Sequence, residues 1–252
     1  MELRTIKFHV PSGHEFEIRE QNGEDEDILS NPREMRTLLH LSRFIAAITV
    51  NSDYTDSGKL TMKDALNLPL LDRYCILLQS RIFSLGETLE FDYQWAPNRN
   101  VRYEEDLTNY LFEDYSQVPS EEEMEAKPYA IPLYPDPSII EGKEFTLASG
   151  KKVFWQAATG NTEQTILKLS DEKRTRNAEL MARNLMLDVD GRYEKVQNFT
   201  LFSVRDMAEI RKLVNTYDPA FQGISDIEDP ETGETSQYPI LAAPGFFFLT
   251  EL

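Results

Sequence analysis

Histidine and cysteine are the side chains that most often act as general bases, nucleophiles and metal ligands near neutral pH, and both are scarce here. The 252 residues contain three histidines, His9, His14 and His40, and one cysteine, Cys75. His9 and His14 flank a predicted hairpin turn, and His40 falls on the polar side of a predicted helix. One cysteine excludes an intramolecular disulfide and a zinc site built on paired thiolates.

No motif in the sequence supplies catalytic or phosphate-binding chemistry. The chain lacks a Gly-Xaa-Ser-Xaa-Gly elbow, a phosphate loop and a His-Glu-Xaa-Xaa-His motif. Asp188, Asp190 and Gly191 are similar to the middle of a calcium loop. No glutamate follows at the required spacing, so a plain turn is predicted there. We therefore predict a non-enzymatic protein with no catalytic residue, no cofactor and no metal.

Aromatic and proline residues indicate a different function, the binding of another protein. Trp95 lies at the tip of a predicted hairpin. An exposed indole there would anchor an interface, whereas an indole folded onto its own strand would not. Phe246–Phe248 form either a closing core strand or a docking strand. The candidate partner-binding residues are Trp95, Tyr129, Pro132, Tyr134, Pro135, Phe246, Phe247 and Phe248.

Composition narrows the class of partner. Forty-four acidic and 26 basic residues give a net charge of −18. Because phosphate binding needs a surplus of Lys and Arg, we predict no nucleic-acid partner, and anionic membrane is excluded for the same reason. No apolar stretch has the length of a membrane span or a signal peptide, so folding in a reducing cytoplasm is expected. No small-molecule substrate is expected either.

Hydrophobic periodicity and turn residues predict the elements that carry these candidates. In the first half, alternation predicts strands, and apolar residues at steps of three and four predict helices. The predicted elements are a hairpin at 5–18, a loop at 19–30, a helix from Pro32 to about Val50 capped by Asn31, helices at 61–85 broken at Pro69 and ended by Gly86, and a hairpin at 87–103.

The second half is predicted to follow the same order. Its elements are a hairpin at 143–157, a helix from about Asn161 to Leu187, a short strand at 193–197, a helix capped by Ser203, and strands at 224–228 and 238–241.

Two stretches share one arrangement of residue types. FHVPSGHEFEIREQNGEDEDIL begins at Phe8, and FTLASGKKVFWQAATGNTEQTIL begins at Phe145. In each, the phenylalanine stands four residues before a Ser-Gly pair. A further glycine follows ten residues after that pair, and a glutamate three residues later. The predicted fold is therefore α+β, a tandem duplication of a hairpin–helices–hairpin unit.

The residues between the two halves have a different composition. An acidic run is followed by four prolines within ten residues, which exclude a helix or a central strand from 128–137. An extended, polyproline-like connector lying on a surface is predicted. The predicted organisation is a first repeat at 1–115, an acidic and Pro-rich linker arm at 116–142, and a second repeat at 143–252.

One segment resembles a known family. From Asp72 to Glu87 the chain reads DRYCILLQSRIFSLGE, a predicted helix with an aspartate near its start, an arginine near its end and Ser-Leu-Gly-Glu before a hairpin. This stretch is similar to one in the baseplate hub and hub-assembly proteins of contractile-tailed bacteriophages. Val10–Gly13 and Asp106-Leu107 also resemble that family. In its members the later hairpin often bears paired cysteines, which are absent here, so turn residues must hold these hairpins.

The resemblance implies a structural component of a phage tail baseplate, in a hub or wedge-adjacent position. Such a component binds other baseplate or tail proteins and resides in the virion after assembly in the host cytoplasm. The first alternative is a transient assembly chaperone that is absent from the mature virion. The second is an enzyme, an uncharacterised carboxylate-metal hydrolase. A cellular contractile injection system could use the same kind of part.

Overall fold

Small antiparallel sheets alternate with mostly short helices along the chain. The computed structural model describes residues 4–173, 175, 177–243 and 245–248. Within these residues there are ten α-helices and four separate sheets, all with antiparallel pairing. The predicted mixture of helices and small antiparallel sheets is therefore confirmed.

The first sheet has three strands in the order β1-β2-β3. Phe8 pairs with Phe16 across the predicted hairpin, whose turn contains Gly13 at φ +88°. The third strand overturns the prediction of a helix to Val50. Residues 49–52 pair with the central strand and thereby satisfy their backbone groups. The strands are β1 (Thr5–His9), β2 (Glu15–Arg19) and β3 (Thr49–Ser52).

Three helices connect β2 to β3: α1 (Gly23–Leu29), α2 (Pro32–Met35) and α3 (Leu39–Ile48). The first lies in a stretch predicted to be a loop. Asn22 and Asp25 bond each other's backbone amides there in a capping box, and Arg19 binds the Asp25 carboxylate at 2.6 Å. The single helix predicted after Asn31 is two helices, because Leu38 takes a left-handed conformation with φ 56°.

The longest helix of the first half covers most of the segment 72–87, and the majority of its residues are buried by neighbouring elements. Pro69 separates α4 (Met62–Asn67) from α5 (Leu70–Leu85), and Gly86 ends α5 with φ +93°, as predicted. The predicted hairpin follows as β4 (Thr88–Ala96) and β5 (Arg99–Asp106), and then a 3₁₀ turn at Leu107–Tyr110. Leu89 and Phe91 face the core.

The acidic part of the connecting segment is helical. Ser120 caps α6 (Glu121–Ala126), whose first turn is three glutamates at the positive end of the helix dipole. Residues 127–137 contain neither helix nor strand, and α7 (Ser138–Glu141) follows them. This stretch is built into the fold, since Ile131 is fully buried.

The second half contains a four-stranded sheet in the order β6-β7-β8-β9. Its predicted long helix is two shorter helices, and it is wrong at its end, where residues 186 and 187 pair with β7 as a strand. Residues 174 and 176 of that predicted helix lie outside the described residues. The elements are β6 (Lys143–Thr146), β7 (Lys152–Trp155), α8 (Gly160–Leu167), a 3₁₀ turn at Asp171–Lys173, α9 (Ala178–Ala182), β8 (Met186–Val189) and β9 (Arg192–Lys195).

A helix and a hairpin complete the second half. The predicted capped helix is α10 (Val204–Tyr217), and Ser203 and Asp206 form its capping box. The hairpin of β10 (Ile224–Glu228) and β11 (Thr235–Pro239) follows, and then a 3₁₀ turn at Ile240–Ala242.

One hydrophobic core runs through both halves. Leu70 donates its backbone N–H to the Ala158 carbonyl at 2.8 Å. The Tyr74 hydroxyl donates to Glu163 at 3.0 Å, and the buried Arg73 lies 3.7 Å from the same carboxylate. These bonds fix the start of α5 against α8.

The two long helices, α5 and α10, each have a buried aspartate as their third residue. Asp72 lies under the turn of the β1–β2 hairpin, and Asp206 lies under the turn of the β6–β7 hairpin. Asp72 Oδ1 accepts the Ser12 N–H at 2.9 Å, and no described group bonds its Oδ2. Burial raises the pKa of Asp72 to about 7, although the hydrogen bonds from Ser12 oppose this shift. Asp206 instead accepts from Lys151 Nζ at 2.7 Å, and that bond holds the pKa of Asp206 well below its usual range.

We expect Asp72→Asn to remove one contribution to the pH dependence of stability. The folded chain binds the Asp72 proton more tightly than the unfolded chain does. The stability that the proton on Asp72 contributes is therefore present in acid and is lost as pH rises through about 7. The amide cannot ionise, so the variant should gain on the order of 3 kcal/mol over the wild type between about pH 4 and about pH 8. Chemical denaturation across this range measures the difference.

Asp206→Asn is the matched control, and its effect should have the opposite sign. Because the pKa of Asp206 is depressed by Lys151, its contribution is present at neutral pH and lost as pH falls into the acid range. A constant difference between wild type and Asp72→Asn across the pH range would contradict the assignment.

Candidate partner-binding surface

Tyr129 and Pro132, two of the candidate residues, line the same surface groove. Pro128, Ala130 and residues 220–223 form the rest of its walls, and its volume is about 210 Å³. The Tyr129 side chain is 42% exposed. A groove lined by two aromatic rings and two prolines suits an apolar side chain of a protein partner.

The proline-rich wall of this groove is held to the first half by hydrogen bonds. Lys127 Nζ donates to the carbonyl oxygens of Thr108 at 3.1 Å and Leu111 at 2.9 Å. Ile131 donates its backbone N–H to the Tyr110 carbonyl at 2.9 Å. A wall fixed in this way loses little conformational entropy when a partner binds.

The Tyr129 hydroxyl donates a hydrogen bond to Asp226 on β10. This bond raises the pKa of Tyr129 and lowers the pKa of Asp226. Gln237 Nε2 donates to the other carboxylate oxygen at 3.0 Å. The carboxylate therefore stays ionised at neutral pH, and it places a negative charge next to the apolar groove.

Trp95 is folded onto its own hairpin, which is one of the two alternatives for it. Its Nε1 donates to the Tyr103 hydroxyl at 2.7 Å, and its ring meets Tyr93 edge-on at 4.8 Å. Tyr103 in turn donates to the Glu228 carbonyl at 2.9 Å. The indole is half-buried and supports the contact between the two hairpins.

Sequence reasoning missed that the two hairpins, β4–β5 and β10–β11, pack against each other. The Phe91 and Tyr238 rings are stacked at 4.0 Å with 9° between their planes. Arg99 binds both Asp229 and Glu231 across the interface. The signal in the sequence was the opposite charge at the two predicted hairpin tips.

Tyr134 and Phe246 are corrected from partner-binding residues to core residues. Tyr134 is 4% exposed and Phe246 is fully buried. Aromatic rings of this size stabilise the fold most when they are removed from water, and both side chains are part of the hydrophobic core. Residues 246–248 do not form the alternative closing strand, since they lie in a bend.

The remaining candidates differ in exposure. Pro135 is exposed, whereas Phe247 and Phe248 are half-buried. Phe247 meets Phe44 edge-on at 5.7 Å. Phe247 and Phe248 also line a hollow of about 390 Å³ beside Gln21 and Ser84. The candidate residues thus lie at separate places: Tyr129 and Pro132 share one groove, and Phe247 and Phe248 share another hollow.

The described residues do not cluster into a metal site, since no three His, Cys, Asp or Glu side chains among them are placed to hold an ion. The Asp188 side chain accepts the Gly191 N–H at 2.7 Å, which confirms the plain turn predicted there. Among the helices of the described chain, none combines the length and hydrophobicity needed to cross a membrane.

Comparison with known proteins identified no relative: no family model, curated protein or solved structure matches this chain.

We expect Trp95 and Tyr103 to be energetically coupled. Tyr103→Phe removes both the acceptor of the indole N–H and the donor to Glu228, so it should lower the free energy of unfolding by about 1–2 kcal/mol. In a double-mutant cycle, Trp95→Phe and Tyr103→Phe should cost less together than the sum of their separate effects. Denaturant titration of the four proteins measures this coupling, and strict additivity would contradict it.

Proposed function

We propose that this chain is a non-enzymatic structural component of the baseplate of a contractile phage tail, in a hub or wedge-adjacent position. It acts through protein–protein contacts during tail assembly. The observation that carries the proposal is the resemblance of residues 72–87 to baseplate hub and hub-assembly proteins. The alternative is a transient assembly chaperone.

The polar residues that carry the resemblance have a common physical role, which supports it. Arg81 donates to the carbonyl oxygens of Gly86 at 2.7 Å and Thr88 at 3.0 Å, where α5 ends and β4 begins. Ser84 Oγ accepts the Gln21 N–H at 3.0 Å. A motif that fixes the junctions between helix, hairpin and first sheet is expected to persist in relatives whose other residues differ.

We further propose that the chain arose by tandem duplication. Ser12, Gly23 and Gly86 stand 137 positions before Ser149, Gly160 and Gly223. The first pair lies in hairpin turns and the second begins α1 and α8. The third pair, both with positive φ, precedes the hairpins β4–β5 and β10–β11.

Main-chain bonding and strand order support the same duplication. The bonds Val10 N–H to His14 and Gly13 N–H to Val10 have counterparts in Leu147 to Lys151 and Gly150 to Leu147. In both halves a hairpin is followed by helices, by a third strand on the second hairpin strand, and by a long helix leading to a separate hairpin. The third strands are β3 and β8.

The proline-rich segment supplies the partner contact in this proposal. Tyr129, Pro132 and Pro135 retain exposed surface on a backbone that is anchored on both sides of the groove. A preformed aromatic and proline surface is suited to assembly, because binding then requires little reorganisation.

The test is the incorporation of a Tyr129→Ala variant into purified tails, measured by mass spectrometry. Truncation of an exposed aromatic anchor should reduce incorporation by roughly tenfold or more. Tyr193→Ala is the matched control. Tyr193 is 39% exposed, against 42% for Tyr129, and its hydroxyl also donates to a carboxylate, that of Glu144.

Two outcomes would contradict parts of the proposal. Equal incorporation of wild type and Tyr129→Ala would remove the groove as the contact. Absence of the wild-type chain from purified tails that need it for assembly would instead establish the transient chaperone.

A further inference from the structure

The outer face of α10 is open to solvent and partly apolar. Val204, in its first turn, is 87% exposed, and Leu201, just before the helix, is 57% exposed. Ala208, Arg211 and Lys212 continue this face. Exposed apolar side chains are common singly, but two of them beside a helix face with a single sign of charge indicate a docking surface.

The corresponding face of α5 is covered. When the two helices are aligned on Asp72 and Asp206, Val204 takes the place of Leu70 and Ala208 the place of Tyr74. In α5 these positions lie against α8 and the residues before it. This comparison uses the proposed duplication, whereas the exposure and charge of α10 do not depend on it.

The two exposed charged residues of α10 are both positive, whereas its acidic residues are half-buried or buried. Arg205 and Lys212 are exposed, and among the described residues neither has an ion-pair partner. Arg211 is half-buried and donates to Asn177. The acidic residues of the helix are engaged elsewhere: Asp206 binds Lys151, and Glu209 accepts the Ala148 N–H at 3.0 Å. A cationic face is unusual on a chain whose net charge is −18.

The outer face of β4–β5 has the complementary charge. Glu90 and Glu104 stand directly opposite each other in the strand register, an arrangement that destabilises an isolated hairpin. Asp92 and Asp106 lie on the same face. Arg102, the one cation among the outward residues of these two strands, pairs with Glu90 at 3.5 Å and Asp92 at 3.2 Å, so Glu104 and Asp106 keep no cation of their own hairpin. A cationic partner would relieve this repulsion.

We propose that the α10 face, Leu201, Val204, Arg205, Ala208 and Lys212, binds the acidic outer face of β4–β5 on a second copy of this chain. The two surfaces are different, so the contact is head-to-tail. A head-to-tail contact closes into a ring or extends as an open array, according to the rotation between copies. The proposal does not rest on the baseplate function, and either can fail without the other.

The experiment is sedimentation velocity over a range of protein concentrations, in about 0.05 M and about 0.5 M salt. The wild type should form species larger than a monomer, and these should weaken at the higher salt because rim charges are screened. R205E/K212E and E90K/E104K should each weaken association by roughly tenfold or more. The chain that carries all four substitutions should regain association, since its two faces are again complementary.

K63E/K168E is the control, since it changes the net charge as R205E/K212E does but lies outside both surfaces. It should leave association unchanged. A wild type that stays monomeric at all concentrations and both salts would overturn the proposal. Association that R205E/K212E does not weaken would also overturn it, as would failure of the fourfold variant to recover. If the chain stays monomeric but binds DNA or anionic vesicles through Arg205 and Lys212, the α10 face binds that partner and not a second copy, and the proposal is wrong.

Discussion

A buried aspartate in the first turn of each long helix, α5 and α10, fixes the start of that helix to a hairpin. Asp72 accepts the Ser12 N–H from the turn of the β1–β2 hairpin, and Asp206 accepts a hydrogen bond from Lys151 of the β6–β7 hairpin. Each helix is thereby fixed at its start to a sheet, while a glycine near its end directs the chain into a separate hairpin. The same device has different electrostatics in the two halves. Asp206 has a cation beside it, whereas Asp72 is desolvated and has only part of its hydrogen bonding satisfied. Asp72 therefore makes stability depend on pH near neutrality, and Asp206 makes it depend on pH in the acid range.

The packing of the two hairpins is a consequence of this construction. The helix α5 leads into β4–β5, and α10 leads into β10–β11. The aromatic faces of the two hairpins pack against each other, joined by the Phe91–Tyr238 stack and the Arg99 ion pairs. This contact closes one side of the molecule and positions the proline-rich segment against β10. Rigidity of the Tyr129 groove therefore follows from interactions within the fold, and a partner finds the surface already formed.

Local signals in the sequence predicted the elements whose structure is decided locally. The Pro11–His14 turn, the break at Pro69, the end of α5 at Gly86 and the Ser203 cap all lie where residue preferences place them. The errors came from tertiary pairing. Residues 49–50 and 186–187 continue helical patterns but lie in strands, because an adjacent strand satisfies the backbone groups there. Likewise, sequence could nominate Trp95, Tyr134 and Phe246 as large aromatics, but it could not tell whether each faced a partner or the core.

The distribution of charge explains how a strongly acidic chain can have selective protein contacts. Residues 1–142 contain 27 acidic and 13 basic side chains, whereas residues 143–252 contain 17 and 13, so most of the net charge of −18 lies in the first part. An evenly acidic surface would repel every copy of itself and every acidic neighbour. Here many of the carboxylates lie on α1, β4–β5 and α6, and the outer face of α10 carries Arg205 and Lys212. The electrostatic field of the chain is therefore asymmetric, and it favours the approach of two copies in one relative orientation over the others. Specific assembly is thus compatible with a net charge that opposes indiscriminate association.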